Sequence, residues 1–131
     1  MMTTQEVVLD ERSYPIHIGS GLLDRAGDLI ASALGRRAVV VTNATVAAYH
    51  LSPLRAGLAK HAIATDVVMV PDGEAHKSWP ALQDIITRLL ELRVDRGTTV
   101  IALGGGVIGD LAGFAAAIAL RGLPFVQIPT T

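Results

Sequence analysis

The chain contains no cysteine, which removes disulfides, thiolate metal sites and cysteine nucleophiles together. Lysine is nearly as scarce: Lys60 and Lys77 stand alone, and the nine arginines are scattered. Eleven basic residues against twelve acidic ones leave a formal net charge of −1. The clustered cations that bind a phosphate backbone are therefore missing, and nucleic acid is not expected as a partner. The amino end, Met1-Met2-Thr3-Thr4-Gln5-Glu6, has no basic region and no apolar segment of the kind that marks a leader. With no disulfide framework either, the expected location is cytoplasmic.

Apolar residues are plentiful instead. They make up 50% of 131 residues against 18% charged, which suits one folded domain with a real core and not a disordered segment. The stretch Thr98 to Leu120 carries one charge, Asp110, in 23 residues, with Gly105, Gly109 and Gly113 at four-residue spacing. Such spacing also marks helix packing in lipid. Three consecutive glycines, Gly104-Gly105-Gly106, break the span, and Asp110 at its middle costs roughly 2.5–3.5 kcal/mol in a bilayer. A strand, a glycine turn and a buried helix explain the stretch better, so no membrane is expected.

Periodicity gives the order of elements. Val7 and Leu9, a polar turn Asp10-Glu11-Arg12-Ser13, then Tyr14 to Ile18 read as an antiparallel hairpin with Pro15 at an edge. Leu22, Leu23, Ala26, Leu29, Ile30, Ala33 and Leu34 follow at helical spacing. Arg37 to Thr42 is a continuous apolar run, the mark of a parallel strand buried on both faces. A helix from about Thr45 to His61, interrupted at Ser52-Pro53, precedes a strand from Ala64 to Pro71. A helix from about Trp79 to Leu92, a strand Thr99 to Leu103, a helix Val107 to Leu120 and a strand Phe125 to Ile128 complete the chain. The alternation predicts an α/β fold: a Rossmann-like, mostly parallel sheet with helices on both faces, preceded by the hairpin. The chain stops at Pro129-Thr130-Thr131, at the carboxyl end of a strand. Ligand sites in such sheets lie just beyond those ends, so a piece of a longer protein is expected.

The strongest chemical signal is Gly104-Gly105-Gly106-Val107-Ile108-Gly109-Asp110, which satisfies G-x-G-x-x-G between an apolar strand and an apolar helix. Glycines there let the backbone approach a pyrophosphate, and the free N–H groups of the helix start point at its oxygens. A tightly packed turn without a ligand would read the same way. The usual dinucleotide fingerprint sits on the first strand with an acidic residue about 20 positions later; here the turn follows a late strand and the acidic candidates lie upstream. Asp110, placed in the first helical turn, either answers the helix dipole or accepts a ribose or substrate hydroxyl. The loop Asp72-Gly73-Glu74-Ala75-His76-Lys77 offers two carboxylates for ribose hydroxyls and a lysine for a phosphate, though its composition equally fits a solvated loop. Asn43 or Thr45 reads as an N-cap or as a contact for an adenosine. His17, His50, His61 and His76 are dispersed, none at metal-ligand spacing with a partner.

Taken together these segments resemble 3-dehydroquinate synthase. The resemblance rests on Leu103 to Phe114, Arg121-Gly122, the ending Phe125 to Thr131, Asp72-Gly73-Glu74 with Lys77, and Thr42-Asn43 with Val46. It spans the whole chain but covers only the family's amino-terminal, nucleotide-binding part, so residues 1–131 are expected to be a single NAD-binding α/β domain. It implies that Asn43 meets the adenosine end of NAD and that Asp72, Gly73, Glu74, Ala75, His76 and Lys77 form the loop that holds its ribose. Gly105, Gly106, Val107, Ile108, Gly109 and Asp110 would hold the pyrophosphate and nicotinamide-side ribose, with Thr130 and Thr131 also lining the dinucleotide. Arg121 resembles an arginine that reaches the substrate phosphate in a partner subunit's site, a role its guanidinium fork suits; otherwise it is a cation at a helix carboxyl end. The implied reaction converts 3-deoxy-D-arabino-heptulosonate 7-phosphate to 3-dehydroquinate and phosphate in the shikimate pathway, with NAD used catalytically and zinc or cobalt polarising oxygen. The metal ligands and most substrate lysines would lie past Thr131. No catalytic or metal-binding residue is therefore assigned within this chain, and the chain alone is expected not to turn over. The resemblance also implies a homodimer. The rival readings are a related sugar-phosphate cyclase, a metal-dependent polyol dehydrogenase, and a non-catalytic nucleotide-binding module.

Overall fold

A computed structural model describes residues 2–31 and 34–130. Its two most buried strands, Arg37–Thr42 (β3) and Thr98–Gly104 (β5), form the middle of a four-stranded parallel sheet, flanked by Ala64–Met69 (β4) and Phe125–Pro129 (β6) in the order β4-β3-β5-β6. The burial explains the composition. Ala38, Val39, Val40, Val41 and Thr42 are fully buried and β5 is buried throughout, whereas the edge strands β4 and β6 are half exposed and carry polar residues. The antiparallel hairpin Met2–Val7 (β1) and Tyr14–Gly19 (β2) forms a separate two-stranded sheet, as the alternation predicts.

Period-two alternation along β3 and β5 divides the core in two. Val39, Val41, Val100 and Ala102 face one layer made by Trp79–Glu91 (α3) and Gly106–Ile118 (α4). Ala38, Val40, Ile101 and Leu103 face the other, with Ala26–Ile30 (α1) and Ala44–Ala59 (α2). The fold is thus the expected α/β sheet wound on both faces. Among the described residues no helix is long and apolar enough to cross a membrane.

Three details differ from the periodicity. The first helical segment is a 3-10 turn, Leu22–Arg25, followed by only five residues of α1, and Ala33 lies outside the described residues. α2 runs unbroken through Pro53; the ring removes one backbone donor, but Leu54, Gly57 and Leu58 bury the second half of the helix and hold it in line. Gly27 of α1 meets the Gly57 backbone so closely that a β-carbon would not fit between them. The last helix ends at Ile118, and Ala119–Arg121 form a 3-10 turn in which Leu120 and Arg121 have φ of +47° and +68°.

Candidate nucleotide site at the carboxyl edge of the sheet

From β3 the chain crosses to β4 on one side and later returns to β5 on the other, so the carboxyl ends of β3 and β5 flank the point where strand order reverses. That crevice is where open α/β sheets bind ligands. Its floor is tied together by Thr42, whose buried hydroxyl donates to the Leu103 carbonyl at 2.8 Å. In the sequence Thr42 stood out only as part of the strand-end motif Thr42-Asn43, with no sign of this bond.

The glycines of the turn have distinct roles, set by what a β-carbon at each would meet. Gly104 has φ +152°, and a β-carbon there would meet Cγ1 of the buried Ile108 at 3.0 Å. Its reason is torsional and steric. Gly109 and Gly113 bring α4 close to β6: a β-carbon at Gly109 would lie 2.5 Å from Gln127 Nε2, and one at Gly113 would touch the Phe125 ring at 3.4 Å. The four-residue glycine spacing thus serves a helix lying on an edge strand. Gly106, the first residue of α4, is different. Its φ is not left-handed and a β-carbon there would meet nothing within 4 Å, so among the described residues neither backbone nor packing asks for glycine. What an absent side chain leaves here is open approach to the start of α4. Gly105 is the N-cap and offers no side-chain bond; the first helical bond runs from the Gly109 N–H to the Gly105 carbonyl at 3.0 Å. The N–H groups of Gly106, Val107 and Ile108 precede the first intrahelical donor and face outward along the axis, a ready cradle for an anion.

Around that cradle the structure gathers most of the predicted residues. Asn43 is the N-cap of α2, its Oδ1 accepting from the Val46 N–H at 2.9 Å; what it could offer a ligand is its amide NH2. Thr45 is not the cap: its hydroxyl donates to Asp72 at 2.7 Å. Gly73 turns the loop with φ +104°, Glu74–His76 make a 3-10 turn, and Ser78 caps α3. Lys77 reaches across to Asp110 on α4, Nζ to Oδ2 2.6 Å, with Glu74 at 3.9 Å. The hydrogen bond and charge of Asp110, then the charge of Glu74, raise the lysine above its ordinary value of 10.5, so it stays protonated throughout the neutral range. Asp110 is the fifth residue of α4 and not in its first turn; its partner is Lys77, and the helix dipole, which fades within a turn, does not account for it. Thr130 lies beside the turn, its N–H donating to the Gly104 carbonyl at 3.2 Å, and Thr131 falls outside the described residues. A separate cleft of about 400 Å³ along the outer edge of β4 includes Met69, Pro71 and His76 but none of Gly104 to Asp110.

Arg121 is not part of this gathering. α4 runs from the glycine turn to the opposite edge of the sheet, about 20 Å for its 13 residues. Arg121 follows it there, three residues past the helix and left-handed. It is therefore not a cation in the helix's last turn, and it does not meet a phosphate held at its own chain's glycine turn. Nor do the histidines converge: His17 bonds Thr4 and His61 bonds Asp28, and among the described residues no cluster of three or more metal-ligating side chains exists.

The family model described as 3-dehydroquinate synthase N-terminal matches residues 67–131. The 3-dehydroquinate synthase of Rhodospirillum rubrum is 62% identical over 126 residues, covering 95% of this chain and 33% of the relative. That of Laribacter hongkongensis is 53% identical over 131 residues, covering 99% of this chain and 36% of the relative. The chain belongs to the 3-dehydroquinate synthase family. It spans about a third of the length of these 3-dehydroquinate synthases. Among solved structures, a 2-epi-5-epi-valiolone synthase from Streptomyces hygroscopicus with NAD+ and Zn2+ bound is 32% identical with TM-score 0.79, over 95% of this chain and 34% of that one. A 2-deoxy-scyllo-inosose synthase shares the fold at 23% identity and TM-score 0.86, over 98% of this chain and 36% of that one.

Proposed function

We propose that this chain holds NAD at the carboxyl edge of its sheet and supplies the nucleotide-binding part of a 3-dehydroquinate synthase, in which 3-deoxy-D-arabino-heptulosonate 7-phosphate becomes 3-dehydroquinate and phosphate. The observation that carries the reading is Gly106: a glycine at the start of a helix, required by nothing among the described residues and open to an approaching group. The free N–H groups of Gly106 to Ile108 would take the pyrophosphate, and Gly104 and Gly109 would fix the turn that presents them. Thr130 borders the same crevice. Asp72, Glu74 and Asp110 are acceptor-only groups when ionised and suit ribose hydroxyls, while Asn43 stands where the adenosine end would lie. Bound NAD would supply reversible hydride acceptance from a ring alcohol. This chain's share is to bind and orient it, with residues 1–131 acting as one nucleotide domain.

None of the described residues is assigned to a metal, and the 131 residues are proposed not to turn over alone. Arg121, at the far edge of the sheet, serves the substrate phosphate of a second copy in a homodimer. The 62% identity to a 3-dehydroquinate synthase favours that substrate over those of the other sugar-phosphate cyclases. The test is titration of NAD+ into the chain, followed by calorimetry and by the fluorescence of Trp79, the single tryptophan, two residues from Lys77. Saturable binding is expected, and Gly106→Val, whose side chain enters open space and leaves the fold intact, should weaken it at least about tenfold (~1.4 kcal/mol). Unchanged affinity in the variant would remove the cradle from the site.

A further inference from the structure

Two contacts pin the loop between β4 and α3 across the crevice: Asp72 to Thr45 on α2, and Lys77 to Asp110 on α4. The second has an odd placement for a structural tie. Lys77 and Asp110 are 43% and 60% exposed, and ion pairs so exposed contribute little to stability. Asp110 stands one turn beyond Gly106, about 6 Å along the helix axis, so the ammonium is held on the same end of α4 as the outward-facing N–H groups of the cradle. A lone carboxylate there would repel the anion that the helix start attracts; with Lys77 upon it, the two charges cancel. Lysine also has the means to move, being a compact charge with three donors on a flexible four-carbon stem.

We propose that Lys77 is a positioning residue that changes partner on nucleotide binding, passing from the Asp110 carboxylate to the pyrophosphate and leaving Asp110 free to accept ribose hydroxyls. The inference rests on the dinucleotide reading above. Only hydrogen bonds are exchanged, and the lysine keeps its proton. Each group then meets the part of the ligand that its chemistry fits, cation to phosphate and acceptor to diol.

The test titrates ADP and NAD+ separately into the wild-type chain, Asp110→Asn, Lys77→Ala and the double variant. Both side chains are exposed, so the variants keep the fold, which circular dichroism verifies. ADP carries the pyrophosphate without the nicotinamide-side ribose and reports only the first half of the exchange. Asp110→Asn should bind ADP about two- to fivefold more tightly, the worth of an exposed ion pair no longer to be broken, and should bind NAD+ more weakly. The gain for ADP should vanish in the Lys77→Ala background. Weaker ADP binding by Asp110→Asn would make the pair a fixed brace and overturn the proposal. So would a gain that persists without Lys77, since that would be mere removal of a negative charge. If the wild-type chain binds neither ligand, the dinucleotide reading itself falls, and the exchange with it.

Discussion

At Gly104 the backbone sits at φ +152° with Ile108 against the missing side chain, while two residues later Gly106 meets only open space. The pattern G-x-G-x-x-G treats the two alike, and their physical reasons are opposite. Gly104→Ala should destabilise the chain by about 2–4 kcal/mol, combining a strained torsion with an overpacked contact, as a shift of the urea midpoint at unchanged slope. The motif was legible from sequence, yet its division into torsion, packing and ligand positions was not, because a glycine's neighbours are set by the fold. Asp110 shows the same limit. Its place in a helix was readable, but its partner, Lys77, lies 33 positions away in sequence and meets it only because α3 and α4 share one face of the sheet.

Elements were more legible than contacts. The valine run of β3 announces a buried parallel strand and the apolar Val100 to Leu103 a further strand, and the structure places both where expected because a strand flanked on each side and covered on each face is largely apolar. Helix α2 resisted the reading at Pro53, since the local rule that proline breaks a helix yields when the half that follows is held in the core by Leu54, Gly57 and Leu58. The amino-terminal edge holds a contact that no motif signals. Arg37 at the start of β3 donates to Asp66 at 2.9 Å and 3.1 Å and to the carbonyls of Leu92 and Arg93 just past α3. It thereby satisfies backbone groups that a helix end leaves orphaned. Arg37→Met should cost about 1–2 kcal/mol, the arginine being partly exposed, and should raise amide exchange at the end of α3 before it does so elsewhere.

For the molecule as a whole, the proposed reaction belongs to proteins of which this chain spans about a third. The hairpin β1–β2 stands as its own sheet with Tyr14, Ile16 and Ile18 at least 42% exposed, and two strands alone are marginal in water. Phe114, Ile118 and Phe125 add further exposed apolar surface on α4 and β6. Patches of this kind invite association, and the proposed role of Arg121 requires a second copy. Light scattering at micromolar concentration should find a dimer or larger species; a monodisperse monomer would count against the shared site.

Composition and periodicity by themselves determined the layered α/β fold, the order of its strands and helices along the chain, and the glycine turn as the place to look. Those features follow from local rules of burial and torsion. Only the tertiary structure decided which strands are neighbours, why Gly106 differs from Gly104, that Lys77 holds Asp110, and that Arg121 lies at the far edge of the sheet. Each of these depends on residues brought together by the crossovers between parallel strands, and a crossover leaves no trace in the spacing of the residues it joins.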